Sequence, residues 1–124
     1  MKLIINHSSV QPIYEQISGQ IKDLIIHGEL TEGVVLPSVR VLARELRVSA
    51  LTVKKSYDTL EQEGFVTTVH GKGSFVSSAS QAQLLEEKRR EVEAELEAAI
   101  RKGRSCGMNN TEITELFHII LEES

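Results

Sequence analysis

The chain has 124 residues, a formal net charge of −4, 40% apolar residues and one cysteine. That length suits one compact domain with an appendage, and the lone Cys106 excludes an internal disulfide. No apolar run approaches the ~20 residues of a membrane-spanning helix, and Met1-Lys2-Leu3-Ile4-Ile5 is too short for a signal peptide, so a cytoplasmic protein is expected.

Taken in order, Ile4 to Val10 reads as an extended lead-in. Pro12 suits a helix start. Ile13, Ile17, Ile21, Leu24 and Ile25 then form an apolar stripe, with Glu15, Gln16, Gln20, Lys22 and Asp23 mostly outside it. Gly28 ends this scaffold helix. Near its start Tyr14 and Gln16 can touch a phosphate, with partial packing preferred for Tyr14. Glu29 to Val35 reads as a loop broken by Gly33, and Leu36 as a core plug.

A second helix starts at Ser38, a good N-cap after Pro37, and repeats Val39, Leu42, Ala43 and Leu46 at helical spacing. Arg47-Val48-Ser49 is a three-residue break, and Ser49 caps a third helix. There Val53, Tyr57 and Leu60 share a buried face, while Leu51, Thr52, Lys54, Lys55 and Asp58 lie on the other side. Gly64 is a left-handed stop. Two helices joined by so short a turn form a helix-turn-helix, whose second helix can lie in a DNA major groove with Ala50 to Lys54 at the base edges. Phe65 to Val69 and Ser74 to Val76, joined through Gly71-Lys72-Gly73, read as a hairpin. Helix-turn-helix plus hairpin is a winged helix. Gly71-Lys72-Gly73-Ser74 is no phosphate-binding loop, since the required first glycine is absent and no helix follows.

Ser77-Ser78-Ala79-Ser80 reads as a linker. From about Gln81 to Arg101 strong helix formers dominate, with Leu85, Val92, Leu96 and Ala99 in a stripe. Gly103 to Gly107 breaks this helix. Asn109 and Glu112 make a capping box for a last helix in which Ile113, Leu116, Phe117, Ile120 and Leu121 share one face. The expected fold class is therefore α+β: a winged helix-turn-helix DNA-binding domain over residues 1–78, then a two-helix antiparallel dimerisation region over residues 79–124. A hairpin of that size leaves apolar surface over, so a second copy has reason to pack there. The alternative is that the tail folds back on its own winged helix.

The overall negative charge argues against DNA only if read globally. Residues 1–78 carry eight basic and eight acidic side chains, so the whole −4 lies in residues 79–124, which carry six and ten. Arg40, Arg44, Arg47, Lys54 and Lys55 fall within sixteen residues opposed by Glu45 alone. The local field at a contact face governs phosphate binding more than net charge does.

The run Leu-Pro-Ser-x-Arg, x-Leu-Ala, x-Leu-x-Val-Ser, Thr-Val-x-x, x-Leu-x-x-Glu-Gly and Gly-x-Gly-x-Phe-Val, spread over roughly Pro12 to Ser77, resembles the DNA-binding domain of the GntR family of bacterial transcriptional regulators. The short tail, by length and helix pattern, resembles the YtrA-type subfamily. The resemblance implies a homodimer on a two-fold operator, usually a repressor that blocks polymerase, with double-stranded DNA as partner. It implies DNA contacts from Ser38, Arg40, Ser49, Leu51, Thr52, Lys54, Lys55 and the wing tip His70, Gly71 and Lys72, the tip approaching a minor groove. Other readings stay open: a salt bridge from Arg40 to Glu45, helix capping for Thr52, a solvated charge for Lys55 and a wing tip without contact. Lys54 stands where the family usually has arginine, which keeps the charge and loses the planar fork. Ala50 and Leu51 depart from the family pattern; they can meet thymine methyls but cannot hydrogen-bond a base through their side chains.

No catalytic constellation, metal-ligand spacing or cofactor motif is present, and His7, His27, His70 and His118 are scattered, so no enzyme, metal or cofactor is expected. The roughly 45 residues after the linker are too few for a ligand pocket of ~300 Å³ within one subunit; an effector is left unknown, with a site between subunits open. The runner-up function is a non-enzymatic adaptor whose winged helix binds protein.

Overall fold

The computed structural model describes residues 1–78 and 80–124, apart from the side chains of residues 80 and 81. Ala79, assigned above to the linker, lies outside the described residues. The chain forms two compact units, Met1–Leu85 and Glu86–Ser124.

The first unit contains α1 (Ile13–Ile26), α2 (Val39–Leu46), α3 (Ala50–Gln62), β1 (Val66–Val69), β2 (Gly73–Val76) and the start of α4 (Ser80–Ser105). Helix α3 packs on α1, α2 and β1. Its apolar face sinks Val53, Tyr57 and Leu60 into a core with Ile17, Ile21 and Ile25 of α1 and Leu42 and Ala43 of α2. Each fully buried aliphatic or aromatic side chain there stabilises the fold by roughly 1.5–3 kcal/mol. Leu36 is buried, as expected of a plug. Gly64, at φ +86°, turns the chain out of α3 into the hairpin, and Phe65 and Val66 close the core beneath it.

Three features depart from the sequence reading. First, Glu29 to Val35 is not a free loop. Gly33 N–H donates to Val76 O at 2.9 Å, Val76 N–H to Val34 O at 3.0 Å and Leu36 N–H to Ser74 O at 2.8 Å, with Val35 bridged to Phe75. This segment covers the outer edge of the hairpin and ties the wing to the entry of α2, which also removes an exposed strand edge. Second, Gln16 is no phosphate ligand. Its amide accepts from Asn6 N–H (2.9 Å) and donates to Asn6 O (3.0 Å) and Gln11 O (2.9 Å). One turn later, Gln20 makes the same two-way contact with the backbone of Ile4, at 2.8 and 2.7 Å. Two amides at i, i+4 thus satisfy the backbone of the lead-in, much as a neighbouring strand does, and seat Leu3 in the core. Third, α4 begins at Ser80, inside the expected linker, and runs through Gly103 to Ser105. Its Leu84 is buried in the first unit's core, and Gln83 donates to Glu63 O at 2.8 Å, so the first unit reaches Leu85 rather than stopping at residue 78.

The second unit comprises the rest of α4 and α5 (Asn110–Glu123). The expected capping box forms: Asn109 Oδ1 accepts from Glu112 N–H at 2.9 Å and Glu112 Oε1 from Asn109 N–H at 3.1 Å. Gly103 does not break α4. Ile113 and Met108 pack beside it, their side-chain atoms lying 3.5 Å from where a Cβ would stand, an ordinary contact distance. No residue of α5 is buried, so the unit leaves more apolar surface open than two helices packed along their stripes would.

Within α3, the Tyr57 hydroxyl donates to Pro37 O at 2.7 Å, linking the third helix to the entry of the second. Burial, and then the charge of Glu45, push its ionisation well above the usual tyrosine value. Tyr57→Phe should cost about 1 kcal/mol in denaturant unfolding. A folded-state pKa above the unfolded value stabilises the native state below about pH 10 and loses that contribution as pH rises further. The wild type should therefore lose stability above about pH 10 more steeply than Tyr57→Phe; equal slopes would contradict the burial argument. Ser56 is fully buried and its hydroxyl has no hydrogen-bond partner among the described residues. Ser56→Ala should be neutral or stabilising by up to about 1 kcal/mol, and a clear loss in the same unfolding experiment would reveal a hidden hydrogen bond.

Candidate nucleic-acid interface

Each candidate residue is placed by a specific local device. Ser38 Oγ accepts from Val41 N–H at 3.2 Å and starts α2, so its side chain serves as a cap. Arg40 stands in the first turn of α2, exposed. Among the described residues it makes no ion pair, and the salt bridge to Glu45 considered above is not formed. The break between the helices is made by Arg47 in the left-handed region at φ 57°, and Val48 N–H donates to Ala43 O at 3.0 Å. That conformation ordinarily favours glycine or asparagine, so the break expected at Arg47-Val48-Ser49 forms without the residue type that usually marks a left-handed turn.

Helix α3 opens with Ser49, whose Oγ accepts from Thr52 N–H at 3.1 Å and lies 2.8 Å from Thr52 Oγ1. Both hydroxyls are thus engaged with each other at the helix start. Leu51 is 79% exposed. Lys54 Nζ lies 3.0 Å from Asp58 Oδ2, one turn on. An exposed pair of this kind is worth only ~0.3–0.5 kcal/mol, so a phosphate can displace the aspartate. Lys55 is not simply solvated: its Nζ lies 4.0 Å above the centre of the Tyr14 ring. A cation over an aromatic face is attracted to the ring's negative quadrupole, and here it links the exposed side of α3 to the start of α1. Tyr14 is half-buried, in line with the packing reading, and its hydroxyl donates to Glu15 Oε1 at 3.2 Å.

The wing turns at His70, Gly71 and Lys72, all exposed. Lys72 N–H donates to Val69 O at 2.9 Å, and Gly71 takes φ +79°, a conformation its missing Cβ makes easy. The hairpin below is in register from Val66↔Val76 to Val69↔Gly73. The interface candidates therefore come from the starts of two helices and from a hairpin tip, all belonging to the first unit. None is drawn into the core, and the arrangement offers separated cations and one apolar helix start rather than a reaction centre.

In the dimerisation set, Leu85, Val92, Leu96, Leu116, Phe117, Ile120 and Leu121 are exposed large apolar residues; Ala99 is exposed and Ile113 half-buried. Ile100 and Ile119 are exposed as well. The sequence reading missed both: Ile100 follows Leu96 at i+4 and extends the α4 stripe, while Ile119, one before Ile120, lies off the i, i+3, i+4 pattern of α5. Among the described residues no helix is long and apolar enough to cross a membrane.

Comparison with known proteins agrees with this geometry. Residues 13–76 match the family described as bacterial regulatory proteins, gntR family. The HTH-type transcriptional repressor YtrA of Bacillus subtilis is 35% identical over 111 residues, covering 90% of this chain and 85% of its own. A transcriptional regulator from Oenococcus oeni has a similar structure, with a TM-score of 0.80 at 26% identity over 94% of this chain and 97% of that one. YtrA from Sulfolobus acidocaldarius, a GntR-family transcription factor, gives a TM-score of 0.58 at 32% identity over 98% and 97% of the two chains. Folded as a winged helix-turn-helix and matched across more than half its length, the chain belongs to the gntR family of bacterial regulatory proteins.

Proposed function

We propose that this regulator binds a two-fold DNA operator as a homodimer and represses transcription by occupying it. The observation that carries the reading is the exposed side of α3: Leu51, Lys54 and Lys55 face away from the core, at the start of the second helix of a helix-turn-helix. In this reading the first turn of α3 enters the major groove. Arg40 binds a guanine edge or a phosphate, and Lys54 and Lys55 bind phosphates. The wing tip approaches the minor groove, where Gly71 permits close backbone approach and Lys72 meets a negative potential. Ser38 and Ser49 contribute by holding the two helix starts, whose free N–H groups suit phosphate oxygens. Such a protein works in the cytoplasm, where its DNA is.

The second copy is supported by the open stripes of the second unit. Phe117 is 45% and Ile120 53% exposed. Apolar area of this kind gains ~25 cal/mol per Å² on burial, and a partner presenting the same stripe covers it without burying charge. A dimer sets two recognition helices on half-sites about one helical turn apart, ~34 Å. Repression is the role of the Bacillus subtilis relative YtrA, a transcriptional repressor.

Two outcomes check this. Arg40→Ala, Lys54→Ala and Lys72→Ala should each weaken DNA binding, and each that removes a phosphate contact should lower the slope of log K against log salt by about 1. Unchanged affinity in all three, measured by anisotropy on labelled duplex, would overturn the DNA-contact assignment. Phe117→Asp should convert a dimer to a monomer in sedimentation at micromolar concentration while leaving the fold intact by circular dichroism. A monomeric wild type under the same conditions would remove the homodimer.

A further inference from the structure

We propose that Leu51 reads the C5-methyl group of a thymine, one in each half-site, and that it does so in place of a hydrogen-bonding side chain. The inference rests on the operator-binding reading above and adds a specificity-determining residue to it.

The first turn of α3 has few side-chain groups left to offer a base. Its two hydroxyls are already engaged: Ser49 Oγ accepts the Thr52 N–H, and the Ser49 and Thr52 oxygens lie 2.8 Å apart. Lys54 is paired with Asp58, and Lys55 rests over the Tyr14 ring. Ala50 has no polar side-chain atom. The remaining feature of the turn is Leu51, 79% exposed and outside the core cluster. An isolated exposed leucine is ordinary on a protein surface. At this place, however, it occupies the leading turn of the helix that faces base edges.

The surroundings of Leu51 select the occupant. Lys54 and Lys55 follow it at i+3 and i+4, on the same side of the helix. A purely apolar partner would strip water from the exposed Lys54–Asp58 pair and from the Lys55 ammonium over Tyr14, and would offer no anion in exchange. The duplex major groove offers the matching combination: a methyl group on thymine, the one apolar substituent on a base edge there, between two rows of phosphates. The Leu51 contact itself leaves the Ser49–Thr52 cap in place, while Lys54 exchanges Asp58 for a phosphate.

The test uses the full chain and duplexes selected by it from a randomised pool. In the enriched sequence, each thymine is replaced in turn by deoxyuridine, which keeps base pairing and the O4 acceptor and lacks only the methyl. Wild-type protein should bind about fourfold more weakly per half-site when one particular thymine is replaced, the scale of one buried methyl group. Leu51→Ala should bind both duplexes alike while retaining the salt dependence of the wild type. Leu51→Asn should shift preference at that base pair towards adenine. Equal wild-type affinity for thymine and deoxyuridine at every position would overturn this proposal alone, as would a Leu51→Ala protein that still discriminates. Enrichment of no sequence at all would overturn the operator-binding reading and this inference with it.

Discussion

Val53, Tyr57 and Leu60 lie buried against α1 and α2, and this burial of one face of α3 sets the orientation of what the first unit presents. A helix cannot bury two opposite faces in so small a unit. Committing one face to the core therefore turns Leu51, Lys54 and Lys55 outward, whatever their individual preferences. The Tyr57 hydroxyl on Pro37 O fixes where α2 begins relative to α3, and so where Arg40 stands. The chain needs no further structure to aim these groups; their aim follows from the packing of apolar side chains at helical spacing.

The same economy appears at the wing. A two-stranded hairpin is marginal alone. Here it is held on one side by Phe65 and Val66 in the core and on the other by the hydrogen-bonded segment Gly33 to Leu36. The tip, His70 to Lys72, projects from a supported base. A positively charged tip on a firm base suits a narrow groove, since little ordering is left to be done on contact. The second unit works by opposite logic. Its helices are capped and well formed, yet leave their apolar stripes open, so the folding of this unit and the proposed pairing with a second copy would draw on the same surface.

Much of this was legible in the residues. Periodic stripes located all five helices, because burial at i, i+3 and i+4 is what the stripes record. Ser38, Ser49 and Asn109 announced their caps through short polar side chains before apolar runs, and Gly64 announced its turn. The candidate site is legible as far as charge and exposure go: Arg40, Lys54 and Lys72 stand out by type, and all three are exposed. What escaped was set by contacts distant in sequence. Leu84 looked like one more residue of a long helix, and only the docked start of α4 makes it core. Gln16 and Gln20 read as solvent-facing, because hydrogen bonding to a backbone ten or sixteen residues away leaves no periodic trace. The pairing of Gly33 to Leu36 with the hairpin had one signal, the β-branched pair Val34-Val35, too short to separate from a loop. The Lys55–Tyr14 contact likewise depends on how α1 and α3 pack.

The outward side of α3 and the wing tip are the surfaces proposed to meet DNA. Amide hydrogen exchange of the full chain, with and without a selected duplex, tests this most directly. The account predicts that DNA slows exchange in the segments carrying Ala50 to Lys55 and His70 to Lys72, and leaves α5 unchanged. Slowed exchange across α5, with α3 and the wing unaffected, would contradict it.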